Sequence, residues 1–201
     1  MSNIKSPYRY DHVGSFLRPE ELKQARKDFK AGKVSREELT AIEDKAITAL
    51  VEKQKKAGFH IITDGEYRRE FWHLDFMWGF EGVAHENTGS GVQFSGELAA
   101  LDDTYLVGKI KAAPHPFVEY FKFLKQFEDE QTVAKYTIPA PAQTFQQMIV
   151  PQNIEQTRKF YSTNEELIQD IGAAYQAVIK HLGTGDKRWA RAGNLRVERF
   201  R

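Results

Sequence analysis

Cysteine is absent from this chain of 201 residues. Its absence excludes a disulfide framework, a thiol nucleophile and any thiolate-ligated metal site built from this chain alone. A surplus of one charge is also missing: 29 Lys and Arg stand against 28 Asp and Glu, for a formal net charge of +1. Electrostatic capture of nucleic acid needs a concentrated basic surface, so the composition argues against that class. No stretch approaches the roughly 18 consecutive apolar residues of a membrane span, and Met1 to Pro7 lacks the apolar core of a secretory signal. A cytoplasmic protein with neither a nucleic-acid nor a membrane partner is the expectation. The glycine-rich dinucleotide fingerprint, the phosphate-binding loop and the Gly-x-Ser-x-Gly elbow are absent too. What is present, 41% hydrophobic and 28% charged residues, is the make-up of a globular chain with its own core.

The charge is unevenly placed. Residues 183–201 carry six basic side chains against Asp186 and Glu198, a formal +4 that leaves −3 on the preceding 182 residues. This tail has no apolar period of 2.0 or 3.6 and reads as a solvated terminus rather than a binding arm.

Upstream, local signals alternate between strand and helix. Residues 8–13 form a short aromatic and β-branched run that predicts a strand, stopped by Gly14-Ser15. Pro19 suits the first position of a helix over 20–30, with Leu22, Ala25 and Phe29 on one side and Gly32 as its stop. Ser35 and Glu38 make a capping-box pattern, followed by an apolar stripe of Leu39, Ile42, Ala46, Leu50 and Val51 that runs to Gly58. Residues 59–63 are mostly apolar and suit a strand buried on both faces. They lead into Asp64-Gly65-Glu66. Residues 80–105, rich in Gly, Asn, Ser and Thr, predict a loop or protruding hairpin whose return strand is 106–112, so that 80–113 is an insertion. Phe117, Phe121, Leu124 and Phe127 predict a helix over 117–127. Residues 134–138 read as a strand broken by Pro139-Ala140-Pro141. The last helix is expected over 162–182, carrying Leu167, Ile168, Ile171, Tyr175, Val178 and Ile179. Helices alternating with well-separated strands indicate an α/β fold with a parallel sheet, of which only three to four units fit in this length.

Ligands of parallel α/β folds bind at the carboxyl ends of the strands. Three such ends stand out. The first presents His12-Val13-Gly14-Ser15, where glycine lets a ligand approach backbone N–H groups. The second presents Asp64-Gly65-Glu66, with Arg68 and Arg69 just beyond. The third presents Pro139-Ala140-Pro141-Ala142-Gln143-Thr144, read as a rigid loop. Side by side, a carboxylate and exposed amides suit the ammonium and carboxylate groups of an amino acid. The plainer alternatives are an ordinary Asp-Gly turn and a local Glu66–Arg69 ion pair. His12, His60, His73, His85, His115 and His181 are scattered without metal-ligand spacing. Trp72 and Phe76 could line a flat-ligand pocket, with aromatic core as the simpler reading.

The run from His12 to Pro19, followed by Ile62-Thr63-Asp64-Gly65-Glu66 and by Thr137-Ile138-Pro139-Ala140-Pro141-Ala142, resembles the start of the catalytic barrel of cobalamin-independent methionine synthases. It is most similar to their short, single-barrel relatives, over residues 8 to about 182. The resemblance implies a partial (β/α)8 TIM-type barrel, the N-terminal half only, with residues 183–201 outside it. It implies methyl transfer from a methyl-tetrahydrofolate to the sulfur of homocysteine. Val13, Gly14 and Ser15 would contact the homocysteine backbone, and Glu66 would hold its ammonium group. The folate would lie across the same rim, with no stacking residue assigned, and no catalytic residue is assigned either.

In the family a zinc ion favours the reactive thiolate, through cysteine, histidine and glutamate ligands in the second half of the barrel. This sequence ends before that half, so a truncated or frame-shifted chain lacking the zinc ligands and a complete active site is expected. A uroporphyrinogen-decarboxylase-like barrel is the alternative enzyme, with Arg18, Arg68 and Arg69 holding an acidic tetrapyrrole. A catalytically inactive fragment that self-associates, as a homodimer through exposed barrel edges, is the non-enzymatic alternative.

Overall fold

The computed structural model describes residues 12–86, 91–94, 97–100 and 103–183. Residues 8–11 of the first expected strand, and nearly all of the basic tail, lie outside them. The chain gathers into two compact units, Met1–Glu70 with Phe121–Thr137, and Phe71–Tyr120 with Ile138–Arg201.

The first unit opens with helix α1 (Glu20–Lys30). Pro19, with φ −58° and ψ 149°, stands at its N-cap, one place before the position expected. Leu22 and Ala25 face inward, while Phe29 is only half-buried. Gly32 follows the helix with a φ of 69°, a left-handed conformation that glycine adopts without a Cβ clash. Helix α2 (Arg36–Lys56) starts with a complete capping box. The Ser35 hydroxyl accepts from Glu38 N at 3.1 Å, and Glu38 Oε2 accepts from Ser35 N at 2.8 Å. Its buried face is Leu39, Glu43, Ile47, Leu50, Val51 and Gln54. Two of these six are polar, and Ile42 and Ala46, assigned to the stripe from spacing, are only half-buried.

Strand β1 is two residues long (Ile61–Ile62) and pairs in parallel with β6 (Val133–Ala134), Ile61 opposite Val133 and Ile62 opposite Ala134. Both strands are shorter than the five residues expected of each. The reason at β1 is visible in Gln54. Its side-chain amide donates to Thr63 O at 2.8 Å and accepts from Thr63 N at 3.0 Å, taking both backbone groups that a neighbouring strand would use. A further parallel bridge joins Ser15 to Gly65. Three chain segments thus run parallel here, as an α/β unit requires; no closed barrel occurs among the described residues.

The second unit holds helix α3 (Leu74–Met77) and an antiparallel pair, β2 (Glu81–Glu86) with β5 (Asp103–Lys111). The register runs Glu86 opposite Asp103 and Val83 opposite Leu106, then shifts at Gly82, whose φ is 86°. A smaller antiparallel pair, β3 (Gly91–Phe94) and β4 (Glu97–Ala100), lies between them in sequence, so residues 80–111 do contain hairpin structure. Helix α4 (Pro116–Lys125) divides between the units: Phe117 belongs to the second core, Phe121 and Leu124 to the first.

Helices α5 (Pro141–Ile149), α6 (Ile154–Arg158) and α7 (Asn164–Gly183) pack on β5. Helix α5 corrects the sequence reading, which took residues 139–144 for a rigid loop. Pro141 is its first residue, where a missing N–H costs nothing, and Gln143 Oε1 accepts from Ala140 N at 3.3 Å. On α7, Leu167, Ile171, Tyr175 and Val178 are buried, but Ile168 is 44% and Ile179 37% exposed. The helix therefore shows a narrower buried face than its apolar content suggests. Phe76 is fully buried, ringed by Phe80, His115, Phe117 and Tyr175 at centroid distances of 4.5 to 5.3 Å. It is aromatic core, whereas Trp72 is 53% exposed.

Candidate functional site

In the first unit, two turns of unusual backbone conformation meet. Gly14 has a φ of 125°, open to glycine and strained for any side chain. A Cβ there would stand 3.3 Å from the Thr63 methyl carbon and 3.6 Å from that of Thr137. The Thr63 hydroxyl donates to Gly14 O at 2.8 Å and accepts from Gly65 N at 3.4 Å, so one side chain holds both turns. Phe16 N donates to Gly65 O at 3.1 Å next to the Ser15–Gly65 bridge. Gly14 is buried within this arrangement, while Ser15 and Val13 (78% exposed) face outward.

Glu66 is the one non-glycine residue with positive φ (57°) among the described residues, directly after Gly65 at 69°. Two neighbours stabilise this conformation. Asp64 Oδ1 accepts from Glu66 N at 2.9 Å, and the Arg18 guanidinium donates to the carbonyls of Glu66 (2.9 Å) and Arg69 (2.7 Å). The Glu66 side chain is 11% exposed, and its Oε1 accepts from Arg69 Nη1 at 3.0 Å and from the Thr137 hydroxyl at 2.8 Å. Arg69 also donates to the Thr137 carbonyl. The local Glu66–Arg69 ion pair weighed from sequence does form, and it coexists with a carboxylate beside the Gly14 turn.

Behind Glu66 the chain is densely charged. Burial pushes the Asp64 carboxyl above the usual carboxylate range, opposed by the Glu66 N–H and the Arg69 charge. Desolvation, with Asp64 beside it, drives the Tyr136 hydroxyl well up. Arg68 is buried against Glu43 at 3.2 Å and also bonds Asp44. Burial raises the Glu43 carboxyl despite Arg68 and Arg26. All three arginines proposed to hold an acidic tetrapyrrole, Arg18, Arg68 and Arg69, are therefore turned onto groups of this chain, and that alternative is not favoured.

The structure sets the turn of Val13, Gly14 and Ser15 beside that of Glu66 through the Ser15–Gly65 bridge. It adds Thr63, Arg69 and Thr137, which the sequence reading did not place in the site. Thr137 heads the third strand-end motif, and its position there was the available signal. No three His, Cys, Asp or Glu side chains among the described residues are arranged to hold a metal ion, and the sequence has no cysteine. The described residues by themselves do not fit a thiol-activating zinc site. Two cavities are elsewhere. One of about 250 Å³ lies between α1 and α2, lined by Pro19, Leu22, Leu50 and Tyr67. One of about 310 Å³, in the second unit, is lined by Trp78, Pro114, Pro116 and Tyr120. No helix among the described residues is long and apolar enough to cross a membrane.

Residues 11–98 match the family model of the cobalamin-independent synthase catalytic domain. The chain is 37% identical over 176 residues to the uncharacterised protein YxjH of Bacillus subtilis (strain 168), covering 88% of this chain and 45% of that protein. It is 27% identical over 175 residues to a methionine synthase of Sulfolobus acidocaldarius, covering 85% and 46%. Among solved structures, a Listeria monocytogenes protein assigned as a vitamin-B12-independent methionine synthase matches with a TM-score of 0.70 at 33% identity, over 90% of this chain and 50% of that one. A B12-independent methionine synthase from Shewanella sp. W3-18-1 shares the fold, with a TM-score of 0.59 at 21% identity over 86% and 47%. The chain spans about half the length of these relatives. Family model, sequence relatives and fold agree in what they resemble: residues 11–98 match the catalytic domain of the cobalamin-independent methionine synthases, and the chain is similar to that family along most of its length.

Proposed function

We propose that this chain forms the amino-acid half of a methyltransferase site, built to hold homocysteine or a similar amino-acid thiol. The observation that carries this reading is the meeting of Gly14 and Glu66 across the Ser15–Gly65 bridge. The backbone amides of Val13, Gly14 and Ser15 bind the ligand carboxylate, because glycine at 14 lets the turn lie close on Thr63 and Thr137 while Val13 and Ser15 face outward. Glu66 accepts from the ligand ammonium, a charge-assisted contact in a largely desolvated setting. The methyl donor is a methyl-tetrahydrofolate on the same rim, and the architecture is the first part of a (β/α)8 barrel in a cytoplasmic protein.

The thiol still needs activation, and the zinc that does this in the family has no ligand cluster among the described residues. We assign no step of the transfer to this chain alone. A second reading, self-association of an inactive fragment, has no specific observation in its favour.

Calorimetry with L-homocysteine tests the half-site. Glu66→Ala is expected to weaken binding at least about tenfold, the cost of removing a charged partner. Equal binding by the variant removes Glu66 from the site. Elemental analysis adds a second check: one zinc per purified chain would overturn the half-site reading in favour of a complete centre.

A further inference from the structure

Thr137 bonds one half of the site and borders the other with different atoms. Its hydroxyl donates to Glu66 Oε1 at 2.8 Å, while its methyl carbon stands 3.6 Å from where a Cβ of Gly14 would be. Its carbonyl accepts from Arg69, whose guanidinium also holds Glu66 Oε1. Two residues before it, Lys135 N donates to Ile62 O at 2.8 Å, so the segment that carries Thr137 is tied to β1 by a bond that does not involve Glu66.

Two donors on Oε1 remove the rotational freedom of the Glu66 carboxylate and so determine where its other oxygen stands. Arg69 supplies charge but sits three residues along the same turn and moves with it. Thr137 comes from 71 residues away. It alone of the two references Glu66 to a different part of the unit, the part that also borders the Gly14 turn. A threonine satisfies both requirements at once: valine would keep the methyl contact and lose the donor, and serine would do the reverse.

We propose that Thr137 is a positioning residue that sets the distance between the ammonium acceptor and the backbone amides, and so makes the site select ligands with an α-ammonium group. The inference rests on the amino-acid reading given above. Glu66 makes the contact, and Thr137 decides where that contact is available.

The test is calorimetry on the full chain with L-homocysteine and with 4-mercaptobutanoate, which has the carboxylate and thiol but no ammonium group. Wild type, Thr137→Val, Thr137→Ser and Glu66→Ala are compared, with thermal unfolding confirming that each is folded. Thr137→Val is expected to lose about tenfold for homocysteine and stay within twofold for 4-mercaptobutanoate, with Thr137→Ser restoring homocysteine binding to within about threefold. Unchanged homocysteine binding by Thr137→Val, where Glu66→Ala weakens it, overturns the role of Thr137 and leaves the amino-acid site standing. Equal losses for both ligands make Thr137 a general structural residue and also overturn the proposal. If Glu66→Ala itself leaves homocysteine binding unchanged, the amino-acid reading fails and takes this inference with it.

Discussion

The Thr63 hydroxyl donates to the carbonyl oxygen of Gly14 at 2.8 Å, 49 residues away in sequence. With its lone pair it also accepts from Gly65 N, and its backbone is held at both groups by Gln54. The peptide plane after Gly14 is thereby fixed from the core side. The orientation of the Ser15 amide, to which we assign the ligand carboxylate in the proposed site, is set by a residue that a ligand need not touch.

Gly14→Ala is expected to damage site and fold together. The φ of 125° is costly for alanine, by about 1–3 kcal/mol, and the new methyl would press on Thr63 at 3.3 Å. Urea unfolding should show a lower midpoint, and calorimetry a loss of homocysteine binding. A variant as stable as wild type would mean that the turn relaxes freely.

Gly65 and Gly58 offer a paired comparison, with φ values of 69° and 83°. A Cβ at Gly65 would stand 2.5 Å from Leu50 Cδ2 and 2.8 Å from Tyr67 Cε1, whereas at Gly58 nothing lies within 4 Å. The backbone cost is shared, so the difference reports packing alone. Gly65→Ala should be the less stable of the two by about 1–3 kcal/mol, the usual cost of overpacking. Equal midpoints in urea would contradict the close fit of Leu50 and Tyr67.

Helix bounds were legible wherever a terminal signal coincided with an apolar period. Ser35 and Glu38 placed the start of α2, and α1 was read at its full span from Pro19 and Gly32. Strand lengths were not legible, because Gln54, far from β1 in pattern but beside it in space, takes the backbone groups of Thr63. Helix α5 was missed because proline was read as a breaker when it stood at a helix start. Glu43 and Arg68 pair inside the unit, and a pattern that counts charge as surface cannot foresee that. Val13, Gly14, Ser15 and Glu66 were singled out through motif likeness; the tie between Thr137 and Glu66 required the hydrogen bond itself.

Asp64 predicts a pH dependence of one sign. Burial raises its folded-state pKa above the unfolded value of about 4, so the folded chain holds a proton that the unfolded chain releases. Stability is expected to fall as pH rises from about 4 through the folded-state pKa. Asp64→Asn retains an oxygen for Glu66 N and removes the titration, so it should flatten this part of the stability profile. A profile of unchanged slope in the variant would show that Asp64 does not supply it.

His115 predicts the opposite sign. Its Nε2–H donates to Phe76 O at 2.8 Å, which leaves Nδ1 to accept from Phe117 N at 3.3 Å. Protonation would set one N–H against another, and burial lowers the folded-state pKa. The unfolded chain then takes up a proton first, near pH 6.5, so this contribution is present at neutral pH and is lost as pH falls below about 6.5. Urea titrations at pH 5 and pH 7.5 should show the loss in wild type and a smaller one in His115→Gln. An equal loss in both would assign the acid sensitivity elsewhere.

Glu66, at a φ of 57°, is a residue that the backbone of the turn, taken alone, would be better off without. Glycine would adopt that conformation at no steric cost, and asparagine at little. The Arg69 and Thr137 contacts offset part of the strain but serve the carboxylate rather than the backbone. Glu66→Gly would relieve about 1–2 kcal/mol of backbone strain. It would also leave the buried Arg69 guanidinium without the Glu66 carboxylate, a loss of about 3–5 kcal/mol, so it should melt below wild type: the charge that strains the turn is also what holds it.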